Sequence, residues 1–118
     1  MINKNIFRSL LIVASLAFLY ACSSPLAPND ALKKYAGTWK SEKGGTLFEI
    51  DGSGSISSTH FSGGTLESLD NSGRLFKITD TISHTLKGNV TLIFTSDTQA
   101  LMYLDFGTFQ KEYSATKQ

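Results

Sequence analysis

Cysteine, proline and histidine are scarce in this chain of 118 residues, and its charge is nearly balanced. The single cysteine, Cys22, excludes an internal disulfide and any zinc site built on cysteine pairs. Eleven Lys and Arg stand against ten Asp and Glu, a balance that gives no electrostatic footprint for nucleic acid, whose binding needs Lys and Arg clustered on one face. No apolar run reaches the roughly 20 residues that span a bilayer. The two histidines, His60 and His84, combine with Glu49, Glu67 or Asp80 at no spacing diagnostic of a metal site. Asp51-Gly52-Ser53-Gly54-Ser55 begins like a calcium loop, but Ile56 and Ser62 stand where an EF-hand needs Gly and Glu. There is no G-x-S-x-G elbow among the many hydroxyls. No catalytic residue, metal ligand or cofactor site is therefore expected.

What the chain does have begins at its N-terminus. Residues 1–9 carry Lys4 and Arg8 and no acid, and Leu10 to Ala21 form an unbroken apolar or small run. That pairing is the charged and hydrophobic regions of a secretory signal, too short to anchor by spanning. Loss of residues 1–21 would remove both basic residues, leaving nine cations against ten anions, a net −1.

The run ends in Leu19-Tyr20-Ala21-Cys22. This tetrapeptide resembles the bacterial lipobox: aliphatic at −3, small at −1 and Cys at +1. The resemblance implies cleavage between Ala21 and Cys22, a diacylglycerol on the Cys22 thiol and an amine open to acylation. Each buried CH₂ contributes ~0.8 kcal/mol, so two or three acyl chains anchor a protein stably. Ser23, not Asp, follows the cysteine, which by the enterobacterial sorting pattern implies the outer membrane. The lipid membrane is thus the expected partner, and the cell envelope, with the domain in the periplasm or at the surface, the expected location.

Ser23 to Asn29 holds both prolines and reads, with Cys22, as a lipidated tether over 22–29. Asn29 or Asp30 is placed to cap a short helix through Lys34. From residue 30 to 118 a single β-domain is expected. Turn signals recur about every 8–12 residues, among them Lys43-Gly44-Gly45, Ser62-Gly63-Gly64 and Lys87-Gly88-Asn89. Between them apolar residues alternate with polar ones: Phe48 and Ile50, Phe76 and Ile78, then Ile82, His84 and Leu86, then Val90, Leu92 and Phe94. Such a pattern predicts an all-β fold of seven to nine strands, a small antiparallel up-and-down barrel with a two-sheet sandwich as the alternative. The expected core is Trp39, Phe48, Phe61, Phe76, Phe94, Phe106 and Phe109, with some of Tyr35, Tyr103 and Tyr113.

Gly37-Thr38-Trp39 after a short helix resembles the entrance of lipocalin-like (calycin) barrels. There the tryptophan plugs one end, and Trp39 is assigned that role by resemblance. A late basic residue packs on it in that family, and Lys111 is the nearest late candidate in place of the usual Arg. His84, sharing a face with Ile82 and Leu86, is expected in or beside the core; His60 is expected near a Gly-rich turn, facing solvent. Both are candidate ligand-lining residues. Gly52–Gly64 reads as a weakly ordered hairpin, or alternatively as a loop at a binding mouth.

Two functions follow as expectations. The first is a non-catalytic, membrane-anchored β-domain that binds a small apolar ligand or an envelope protein. The second is a structural or assembly subunit, of pilot or accessory type, docked on a larger envelope complex. An apolar internal cavity would favour a ligand binder; a filled core with an unpaired edge strand would favour docking.

Overall fold

A computed structural model describes residues 26–118. The signal segment 1–21, the Ala21–Cys22 cleavage site and Ser23 lie outside the described residues. A short helix α1 (Pro28–Leu32) runs into one 3-10 turn (Lys33–Tyr35). Eight strands follow: β1 (Gly37–Lys40), β2 (Thr46–Ile50), β3 (Ile56–Ser57), β4 (Thr65–Ser68), β5 (Leu75–Ser83), β6 (Leu86–Phe94), β7 (Gln99–Asp105) and β8 (Gln110–Lys117).

The helix starts on Pro28, whose missing N–H costs nothing in the first turn. Neither Asn29 nor Asp30 caps it; Ala27 occupies the cap position and makes no side-chain bond. The Asn29 amide instead donates to the Gly54 carbonyl oxygen at 2.8 Å. Five helical residues are too few to stand alone, and α1 is held by burying Ala31 and Leu32.

All eight strands form one antiparallel sheet in the order β3-β2-β1-β8-β7-β6-β5-β4. Every consecutive pair is joined by hydrogen bonds except β3 and β4, and β1 closes on β8. This is an up-and-down barrel opened along one seam, a curled half-barrel, and not a two-sheet sandwich. Two hairpins show how sequence writes this meander. At Ser41–Gly45 and Asp51–Ser55 the first residue's N–H bonds the fifth residue's carbonyl, and glycine takes the fourth, left-handed position. Asp51 also accepts from the Ser53 hydroxyl at 2.6 Å and from the Ser53 and Ser55 amides at 2.9 and 3.0 Å.

Inward residues of the long strands stack in register. Phe76, Leu92, Met102 and Tyr113 form one row across β5 to β8. At the helix end lies an aromatic cluster centred on Phe94. Tyr35 stacks on it at 3.9 Å, Trp39 and Phe76 meet it edge-on at 5.2 and 5.9 Å, and Phe48 lies parallel to Trp39 at 5.6 Å. Trp39 Nε1 donates to the Tyr35 carbonyl oxygen at 2.9 Å, so the buried indole leaves no orphan donor. Phe61 and Phe106 join the core, while Phe109 and Tyr103 are exposed.

Two bulges break the alternation. An extra residue between Trp39 and Lys40's partners places Leu47 beside Phe48, and both are buried. In β5 the register shifts between Ile78 and Thr81, where Asp80 adopts φ 57°. Thr81 and Ser83 then point inward and Ile82 outward. That shift corrects the expectation for His84, which lies exposed in the two-residue β5–β6 turn at φ 58° and not beside the core.

Candidate functional site

Along the seam between β3 and β4, the two ends of the sheet order, both walls carry backbone without a strand partner. Antiparallel ladders alternate hydrogen-bonded and non-bonded pairs, so every second residue turns its N–H and C=O away from a given neighbour. The Asp51 N–H bonds Ser55 at 3.0 Å, so Ser57 opposite Glu49 faces β2, and Ile56 between them faces the seam. On the other wall the Leu69 N–H bonds Leu75 at 2.9 Å. By the same alternation Glu67 and Thr65 face β5, while Leu66 and Ser68 face the seam. Among the described residues, no backbone group bonds those three peptides from the seam side.

Between the walls lies a cleft of about 470 Å³, open to solvent. Ile56, Phe61, Leu66 and Ile78 supply its apolar surface. Asn29, Ser55, Ser57, Ser58 and Ser62 supply hydroxyls and an amide, and Gly63 and Gly64 complete the rim. No ionisable side chain lines it.

Both ends of the seam are pinned. At one pole the helical segment bridges it: Asn29 bonds Gly54 in the β2–β3 turn, and the Tyr35 hydroxyl donates to the Gly73 carbonyl oxygen in the β4–β5 turn at 3.0 Å. At the other pole residues 58–64 cross it. The Ser58 hydroxyl donates to the Leu47 carbonyl oxygen at 2.7 Å, and Ser62 and Ile82 exchange two backbone bonds of 2.9 Å. The buried Thr81 hydroxyl adds a third bond to Ser62, at 2.9 Å. Gly64, at φ 100°, passes so close to β5 that a Cβ there would lie 2.6 Å from the Thr79 carbonyl oxygen. Only glycine brings the crossing segment this near.

A second open cleft, about 560 Å³, lies between the helical segment and the β4–β5 turn and includes Leu26, Lys33, Lys34 and Asp70. Asp70 belongs to a structural loop: the Ser72 hydroxyl at 2.6 Å and the Ser72 amide at 2.9 Å hold its carboxyl below the usual value of 3.8. The Ser53 hydroxyl, followed by the Ser55 and Ser53 amides, does the same for Asp51.

His60, expected at the surface, is half-buried beside Tyr113 with ring centres 5.5 Å apart, whereas His84 is exposed in the β5–β6 turn, and neither histidine lines the cleft. Trp39 sits wholly inside the helix-covered end. Its register partner on β8 is Lys117, while Lys111 lies over the Tyr113 ring at 5.5 Å. The late basic residue opposite the tryptophan is thus Lys117. Ile56, Leu66 and Asn29 carried no signal as site residues, though the Ser- and Gly-rich stretch Gly52–Gly64 contains most of the rim. Among the described residues no cluster of His, Cys, Asp and Glu could hold a metal ion, and no helix is long and apolar enough to cross a membrane.

No protein-family model, characterised protein or solved structure matches the chain.

Proposed function

We propose that this protein is a lipid-anchored, non-catalytic docking module of the bacterial envelope, whose β-domain holds a protein partner along the β3–β4 seam. The observation that carries this reading is a filled interior beside an unclosed sheet. Trp39, Tyr35, Phe48, Phe76 and Phe94 occupy the space in which a ligand-carrying barrel would keep its cavity. Meanwhile β3 and β4 offer unpaired edges, which natural sheets normally cover, charge or pair. The assembly-subunit reading therefore has more support than the small-ligand one. The anchor rests on the lipobox resemblance at Cys22. It would bring the pole bearing α1 toward the membrane, with the seam running along the flank of the domain.

Two measurements test the reading. Cys22→Ala should abolish lipid modification and the membrane-fraction signal; a processed, lipid-bearing mutant would overturn the anchor. Native mass spectrometry of protein extracted from membranes should show a complex with a stoichiometric protein partner. Leu66→Lys, which places a charge in the seam, should release that partner, and Glu67→Lys on the exposed outer face should not. A co-purifying apolar small molecule with no protein partner, or equal behaviour of the two variants, would overturn the docking reading.

A further inference from the structure

We infer that the occupant of the seam is an uncharged, extended peptide segment of the partner, bound by strand addition to β4; the inference rests on the docking reading. The backbone supplies the first argument. Leu66 and Ser68 both turn their N–H and C=O into the seam. They stand two residues apart, and two residues is the repeat at which any extended strand presents groups to one side, roughly 6.6–6.8 Å. A folded surface patch or a lipid chain offers no such ladder. Ile56 provides one further free peptide group on the opposite wall.

The walls do not satisfy one another because both ends of each are tied elsewhere. Asn29–Gly54 and Tyr35–Gly73 fix the helix pole, while Ser58–Leu47 and Ser62–Ile82 fix the crossing segment. The gap is thus part of the fold, held at both ends by these bonds.

Side chains define the occupant's character. A strand laid in the seam would send alternate residues toward Ile56, Phe61, Leu66 and Ile78 and the others to solvent. With no ionisable lining group to pair with, a charged residue on the inward side would be desolvated without compensation. The serine rim suits peptide groups and hydroxyls and gives an acyl chain little apolar enclosure. A partner segment alternating apolar with uncharged polar residues fits these terms.

The test uses the full chain in detergent micelles and follows amide hydrogen exchange by NMR. The probe is a terminally capped peptide of alternating Val and Thr; the control is the same peptide N-methylated at every amide. Saturating probe should slow exchange at Leu66 and Ser68 by about tenfold. Thr65 and Glu67, already bonded to β5, should not change, and the control should protect nothing. Equal protection by the N-methylated peptide would overturn strand addition, as would no protection by either peptide. Exchange at Leu66 and Ser68 that slows with protein concentration alone would assign the seam to a second copy of this chain and overturn the inference. If neither peptide protects these amides while Leu66→Lys still releases the native partner, strand addition falls and the docking reading stands.

Discussion

Gly54→Ala should be among the most damaging single-methyl additions in this protein, because it strikes the contact that straps the helix across the seam. Gly54 is buried at φ 84°, and a Cβ there would run into the backbone carbonyl of Asn29. An L-residue in that left-handed conformation costs about 1–2 kcal/mol. Displacing Asn29 also forfeits its 2.8 Å bond to the Gly54 carbonyl, worth about 1 kcal/mol. The sum, about 2–3 kcal/mol, is a large share of the 5–15 kcal/mol typical of a domain and corresponds to roughly 10–20 °C in Tm. Urea unfolding at unchanged m-value measures it directly. Two neighbours separate the causes. Gly52, in the same turn, has no positive φ and open space where a Cβ would go, so Gly52→Ala should stay within about 0.5 kcal/mol. Asn tolerates the left-handed region, so Gly54→Asn relieves the strain but not the collision. A Gly54→Ala protein within about 0.5 kcal/mol of the parent would refute the close approach, and full recovery in Gly54→Asn would reduce it to backbone strain alone.

Phe94→Ala, at the centre of the aromatic cluster, should cost about 3–5 kcal/mol in the same unfolding assay, whereas Tyr103→Ala on the outer face should cost under about 1 kcal/mol. His84→Gly should raise stability by about 1 kcal/mol by removing the left-handed penalty in the β5–β6 turn; a loss would show that the imidazole makes a contact that matters. Asp51 and Asp70 have folded-state pKa values held below 3.8, so their stabilisation is present above that value and disappears as pH falls through the lower, folded one. A scan of Tm against pH should therefore drop at the acid end, and the drop should shrink when both residues are replaced by Asn.

How much of this was legible in the sequence differs from strand to strand. Phe48 with Ile50, Phe76 with Ile78, and Val90 with Leu92 and Phe94 alternate and are buried as their period implies. Glycines at the turns announced the hairpins, because left-handed backbone positions demand them. Ile82, His84 and Leu86 misled, since one inserted residue at Asp80 reverses every later side chain and leaves no mark in the alternation itself. Phe106 and Phe109 are equally apolar, yet only the first is buried, because the turn bonding the Phe106 N–H to the Phe109 carbonyl points them apart. The seam was hidden for another reason. Which strands fail to pair depends on where Asn29, Ser62 and Tyr35 fasten distant turns, and those bonds have no local signature. The short β3 run and the polar Gly52–Gly64 stretch hinted at weak pairing without locating it.

The pairing of β1 with β8 rests on two residue pairs, Trp39 with Lys117 and Lys40 with Thr116. Its two strands lie at opposite ends of the domain's sequence, whereas each remaining contact in the sheet joins strands that follow one another. Bringing such remote segments together costs roughly 2 kcal/mol more loop-closure entropy than forming a tight hairpin. Local hairpins therefore have the kinetic advantage, and β4 to β8 can assemble as a five-stranded ribbon before β1 to β3 latch on. The narrow β1–β8 joint then acts as a hinge between a three-stranded and a five-stranded leaf. Any opening of that joint would load the straps across the seam, Tyr35–Gly73 and Ser62–Ile82, so the width of the cleft is set from both sides of the sheet at once.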